Sequence, residues 1–123
     1  MKIGQFIQVN QTTRDTVRYY IEEGLLTPRK KEGNYWFSEK EQADYQAIRE
    51  LRELGFSIKG IQAIQANRLI HGCGSQEQWS GNRPIVANEL REIKEELAVL
   101  LDRQTRLQTL LLTLDKKIND EIT

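Results

Sequence analysis

Cysteine and histidine are almost missing from this chain, one of each among 123 residues. A lone cysteine excludes an intrachain disulfide framework and a multi-cysteine zinc site within one copy. The same scarcity leaves no credible nucleophile–base pair, and no Gly-rich phosphate loop is present, so an enzyme is not expected and no cofactor is implied. Long apolar runs are lacking too. None approaches the roughly 18 residues of a membrane span, and no apolar stretch follows Met1-Lys2 as a secretory signal would. These absences point to a cytoplasmic protein with no membrane partner. The apolar set is only 38% of the chain against 29% charged residues, so the apolar side chains must be gathered onto faces.

An excess of charge of either sign is also absent, with 18 Lys+Arg against 18 Asp+Glu. Distribution matters more than the sum. Residues 1–31 hold Lys2, Arg14, Arg18, Arg29, Lys30 and Lys31 against Asp15, Glu22 and Glu23, and many balancing acids lie later, as in the Glu-rich stretch from Glu89 to Glu96. A locally basic face on a neutral protein can still neutralise several phosphates.

Three regions separate by pattern: residues 1–70 as a set of short helices broken by turn chemistry, the polar Gly-rich segment 71–84 as a linker loop, and 85–123 as one long helix. Ile3, Phe6, Ile7 and Val9 predict a short first helix. Thr13 is a suitable N-cap for a second, which Gly24 would end. Arg29 to Phe37, with a turn at Glu32-Gly33-Asn34, predicts a β-hairpin. Ser38 and Glu41 form a capping box for a third helix with an apolar stripe of Ala43, Ala47, Ile48, Leu51 and Leu54. Ser57 opens a fourth, carrying Ile58, Ile61, Ile64 and Leu69. The order predicts an all-α fold with a small β-hairpin wing: a winged helix-turn-helix head followed by a long dimerisation helix.

In the last region Leu90, Ile93, Leu97, Leu100, Leu107, Leu111, Leu114 and Ile118 fall at steps of three and four, with Gln104 in the remaining seam position. Such spacing is that of a coiled coil. A helix from Pro84 to Asp120 would run roughly 55 Å, more stripe than the head could cover. A homodimer is therefore expected, rather than a helix folded back on its own head. The spacing leaves the relative direction of the two helices open.

Ile3-Gly4-Gln5-Phe6, Thr13-Arg14-Asp15-Thr16-Val17-Arg18-Tyr19-Tyr20 and Gly24-Leu25-Leu26-Thr27-Pro28 together strongly resemble the MerR family of bacterial transcription regulators. Leu51-Arg52-Glu53-Leu54-Gly55-Phe56-Ser57, with Ile58 and Ile61, is similar to that family as well. The resemblance implies an antiparallel coiled coil joining two heads on a pseudo-palindromic promoter in double-stranded DNA. It also implies an over-long spacer that the dimer bends and untwists so that RNA polymerase can engage. Carried to this chain, it implies that Thr13 caps the recognition helix, that Arg14 and Arg18 reach base edges with Thr16 beside them, and that Tyr19, Tyr20 and Arg52 touch phosphates. For Tyr20 a place in the core competes equally.

The wing departs from the family pattern. Gly33-Asn34-Tyr35-Trp36-Phe37-Ser38 lacks the usual wing arginine, so Lys30, Lys31 and Tyr35 are the expected wing contacts. Ile21 stands where an acid is common. Metal-responsive relatives carry further cysteines near the C-terminus; this chain has only Cys73, so no metal site is expected. Cys73, flanked by Gly72 and Gly74 with His71 nearby, is a candidate redox thiol, though an inert loop cysteine accounts for it as well. Trp79 is expected to pack onto the fourth helix. Two alternatives compete with a regulator: a coiled-coil interaction module and an excisionase-like architectural DNA-binding protein.

Overall fold

Apolar side chains from four helices and the turns between them, all within the first 61 residues, meet in one cluster: Phe6, Val17, Leu25, Leu26, Phe37, Tyr45, Ile48, Phe56 and Ile61. In this computed structural model, which describes residues 1–122, the elements are α1 (Ile3–Asn10), α2 (Arg14–Glu22), β1 (Arg29–Lys31), β2 (Asn34–Trp36), α3 (Glu39–Glu53), α4 (Ile58–His71) and α5 (Gln76–Ile122). The described residues fall into two compact units, Met1–Val86 and the stretch from Ala87 onward. The architecture is helical with a two-stranded wing, as the patterning predicts.

Aromatic packing fixes the centre of the first unit. The Phe6 ring stacks on Phe37 at 4.3 Å between centroids and meets the edge of Tyr45 at 5.6 Å. α1 is thereby pinned to the end of the wing and to α3. A polar lock completes the joint. Buried Asn10 and Gln42 exchange side-chain hydrogen bonds of 2.9 and 2.6 Å, and the Arg49 guanidinium donates to the Asn10 carbonyl. Buried amides need partners, and this pair satisfies both. Gln11 then turns the chain through a left-handed conformation, φ 51°, into α2.

The hairpin is antiparallel, with Arg29 opposite Trp36, Lys30 opposite Tyr35 and Lys31 opposite Asn34. Its two-residue turn is Glu32-Gly33, both at positive φ (54° and 79°), which is the twist a tight hairpin requires. The turn falls within the expected Glu32-Gly33-Asn34, with Asn34 already the first residue of β2.

Four expectations need correction. α5 begins at Gln76, so only residues 72–75 of the expected 71–84 linker lie between helices. Pro84 suggests a helix start, yet Ser75 supplies the cap, its Oγ accepting from the Gln78 amide at 3.0 Å, and Pro84 lies inside the helix. In α3 the buried face is Glu41, Asp44, Tyr45 and Ile48, while Ala43 and Leu54 are exposed. Acids can occupy that face because Asp44 pairs with Lys40 at 3.1 Å and Arg68 at 3.3 Å, and Ser38 bonds Glu41. Leu69 is 83% exposed rather than part of the α4 core face. Trp79 lies on α5 and is 58% exposed, rather than packed away against the fourth helix.

Candidate nucleic-acid interface

α2 is anchored from below and open above. Val17 is fully buried, and Tyr20 and Ile21 pack against the core cluster, so Arg14, Arg18 and Tyr19 emerge on the exposed side. The start of the helix is set by Thr13, whose Oγ1 accepts from the Thr16 amide at 3.1 Å and bonds the Thr16 hydroxyl at 2.8 Å. Its end is held from α4: Gln62 Nε2 donates to the Glu23 carbonyl at 2.9 Å, and Gln65 Nε2 to the Leu25 carbonyl at 3.2 Å. Both termini of α2 are therefore tied by side chains, which fixes how its outer face is presented.

Thr16, Tyr19, Tyr20 and Arg52 come together, lining one surface groove with Asp15 and Ile58. The Tyr19 and Tyr20 rings lie 6.0 Å apart. Tyr20 is half-buried, with its ring 6.1 Å from Tyr45, so its body belongs to the core. Among the described residues Arg52 has no salt-bridge partner; its Nη1 donates to the Phe56 carbonyl at 2.9 Å, which aims the guanidinium from the α3–α4 turn. Arg14 and Arg18 do not line that groove. Asp15 supplies the one anion there, in the first turn of α2, where it complements the helix dipole.

Lys30, Lys31 and Tyr35 lie apart from that groove, on the hairpin. Lys30 sits over the Tyr35 ring at 5.4 Å. The wing also holds residues that the sequence reading left unplaced. Arg29, Lys30, Lys31 and Trp36 line a second surface depression, and Lys2 pairs with Trp36 as an isolated bridge, its ammonium 5.6 Å from the indole. Lys2 had been counted only as charge. No local signal joins residue 2 to residue 36.

Leu90, Ile93, Leu97, Leu100, Gln104, Leu107, Leu111, Leu114 and Ile118 all lie exposed along α5, the apolar ones between 42% and 66%. Cys73 is exposed and free. Among the described residues no three His, Cys, Asp or Glu side chains gather as metal ligands, and no helix is long and apolar enough to cross a membrane.

A helix-turn-helix pair, a two-stranded wing and a long terminal helix define a winged helix-turn-helix protein. The chain belongs to the MerR family: the model of the MerR HTH family regulatory protein matches residues 1–68. The HTH-type transcriptional regulator ZntR of Escherichia coli strain K12 is 30% identical over 114 residues, 89% of this chain and 77% of its own length. ZntR of Escherichia coli O157:H7 matches to the same extent. The protein is thus a transcription regulator of the MerR type.

Proposed function

We propose that the protein binds a pseudo-palindromic promoter as a homodimer in the bacterial cytoplasm and regulates transcription by distorting the DNA that RNA polymerase engages. The observation that carries this reading is the presentation of α2. Its apolar side is sunk in the core, its termini are tied by Thr13, Gln62 and Gln65, and Arg14, Arg18 and Tyr19 stand free on the outer side. Arginine reads guanine O6 and N7 in the major groove, the commonest specific contact. Tyr19, Tyr20 and Arg52 would grip the backbone beside it, with Lys30, Lys31 and Tyr35 reaching it from the wing.

Dimerisation follows from the α5 stripe. Eight apolar side chains at heptad spacing, each exposed in a single copy, favour burial against a second copy, with the helices antiparallel as in the family. Two heads related by a two-fold axis read two half-sites, and bending the duplex between them costs several kcal/mol. A signal that changes the relation of the heads could then switch transcription. No catalytic role is assigned to any residue.

Selection of genomic fragments by the purified protein at near-physiological salt tests this. Enrichment of one inverted repeat between promoter elements is expected, and Arg18→Ala should lose preference for that repeat while remaining dimeric. A stable dimer that enriches no sequence would instead favour a coiled-coil interaction module.

A further inference from the structure

The wing lacks the arginine its family uses, yet its surface is not short of cations. Lys2, at the N-cap of α1, is brought to the hairpin by a bridge to Trp36, and the Met1 and Phe37 backbones bond each other in both directions at 2.7 Å. Residues 1–2 therefore lie along the free side of β2 and extend the wing. Across the hairpin, Arg29 is the registered partner of the same Trp36. Lys2, Arg29 and Trp36 are all exposed, the indole to 40%. The salt bridges among the described residues draw on Lys40, Arg68, Arg91 and Arg106, so neither Lys2 nor Arg29 has an acidic partner within 4.0 Å.

We propose that Lys2, Arg29 and Trp36 form a backbone clamp for duplex DNA, distinct from the Lys30, Lys31 and Tyr35 contacts already assigned to the wing. The inference rests on the DNA-binding reading above. Two cations attend the exposed Trp36, Lys2 over its ring and Arg29 opposite it across the hairpin. A phosphate suits that setting: Lys2 supplies a compact ammonium and Arg29 a planar fork of donors. The indole Nε1–H is a further donor, and its ring offers an apolar face to the adjoining deoxyribose. Such contacts carry no base information; they position the head and add to the salt dependence of binding. The clamp thereby does the work of the missing arginine with residues from the chain's first two positions and from the outer ends of both strands.

Salt titration on the specific site separates this from other roles. Each phosphate contact contributes about 0.9 to the slope of log K against log salt, so removing one contact from each head of a dimer lowers the slope by about 1.8. Lys2→Ala and Arg29→Ala are each expected to do so, shrinking the affinity ratio between 50 and 200 mM salt roughly tenfold. Preference for the specific site should stay unchanged. Lys2 makes its bridge through backbone atoms, so truncating its side chain leaves the fold in place. A Trp79→Phe background makes Trp36 the single tryptophan, and its emission should change on saturation with duplex.

If the parent binds duplex but both variants keep its full slope, this inference falls while the regulator reading stands. If either variant loses site preference, the residues read bases and the phosphate assignment is overturned. A parent that binds no duplex even at low salt would overturn both readings together.

Discussion

Replacing Gly81 by alanine should destabilise the protein, against the general rule for helices. Gly81 lies inside α5, where Gly→Ala ordinarily gains about 1 kcal/mol. Here α4 passes too close. A Cβ at position 81 would lie 2.7 Å from both Cγ and Nδ2 of Asn67, and nearer still to Oδ1. Asn67 must then swing away, and it is not idle: its Nδ2 donates to the Gln78 carbonyl at 2.8 Å and to Asn82 Oδ1 at 2.7 Å. Two hydrogen bonds at about 1 kcal/mol each outweigh the propensity gain, for a net loss of about 1 kcal/mol. For a chain of this size that lowers the melting temperature by about 4 °C. The comparison should be made at one protomer concentration, because the proposed dimerisation would feed into apparent stability. Asn67→Ala provides the decisive background: there the obstruction and both bonds are gone, so Gly81→Ala should stabilise by about 1 kcal/mol. The cycle should show a coupling of about 2 kcal/mol. If Gly81→Ala raises the melting temperature in the parent protein, the close approach of α4 to α5 is wrong.

Phe6→Ala removes the ring that stacks on Phe37 and abuts Tyr45, and should cost about 3–5 kcal/mol in urea unfolding. Thr13→Ala should cost about 1 kcal/mol through its lost cap, with Thr13→Ser largely restoring it. For Glu41, burial pushes the carboxyl up, but the bonds from the Ser38 hydroxyl and amide, with Lys40 nearby, prevail and hold it below its ordinary value. A depressed carboxyl stabilises the fold above the unfolded value of about 4.5, and that contribution fades as pH falls through the lower folded value. Glu41→Gln should therefore be less stable than the parent near neutrality, with the difference closing in acid; a constant difference down to pH 2 would count against the bond. Leu97→Asp with Leu100→Asp should give monomers by sedimentation, and a dimer that persists would mean the seam is misplaced.

Local chemistry made the head legible. Thr13, Gly24, Ser38 with Glu41, and the Glu32–Asn34 turn act on neighbours within a few residues, so their roles could be read in line. What stayed hidden depends on distant partners. Asp44 faces inward because Arg68, 24 residues on, meets it; nothing in the α3 stripe foretells this. Ala43 and Leu54 fit the apolar spacing, yet that face loses to one built on Tyr45 and Ile48. The start of α5 is hidden in the sequence because Pro84 is a conspicuous first-turn residue while Ser75 is one polar residue in a Gly-rich stretch. The Ser75 cap lies nine residues upstream of Pro84, and the helix tolerates the proline within it. For the proposed interface, Thr13, Arg18 and Tyr19 can be read in line along α2, whereas the Lys2–Trp36 bridge joins residues 34 apart in sequence.

Neutrality of the whole chain and the proposed affinity for a polyanion are reconciled by where the acids are used. Asp44 is occupied by Lys40 and Arg68, and Glu41 by Ser38, both buried. Further acids lie on α5, where Glu95 and Asp102 pair with Arg91 and Arg106 four residues away. Lys2, Arg14, Arg18, Arg29, Lys30 and Lys31 are all exposed, and none takes part in these pairs. A field made by six exposed cations within 31 residues acts over about a Debye length, near 8 Å at physiological salt, so an acid weakens it chiefly where it stands beside them. Adding acids to α5 would then shift the isoelectric point and leave DNA affinity nearly unchanged. Placing one acid on the wing, at the position registered opposite Lys31, should weaken it. Gln108→Glu on α5 against Asn34→Asp on the wing, compared by salt titration on one duplex, puts that distinction to measurement; equal effects from the two would show that net charge, not its placement, governs binding.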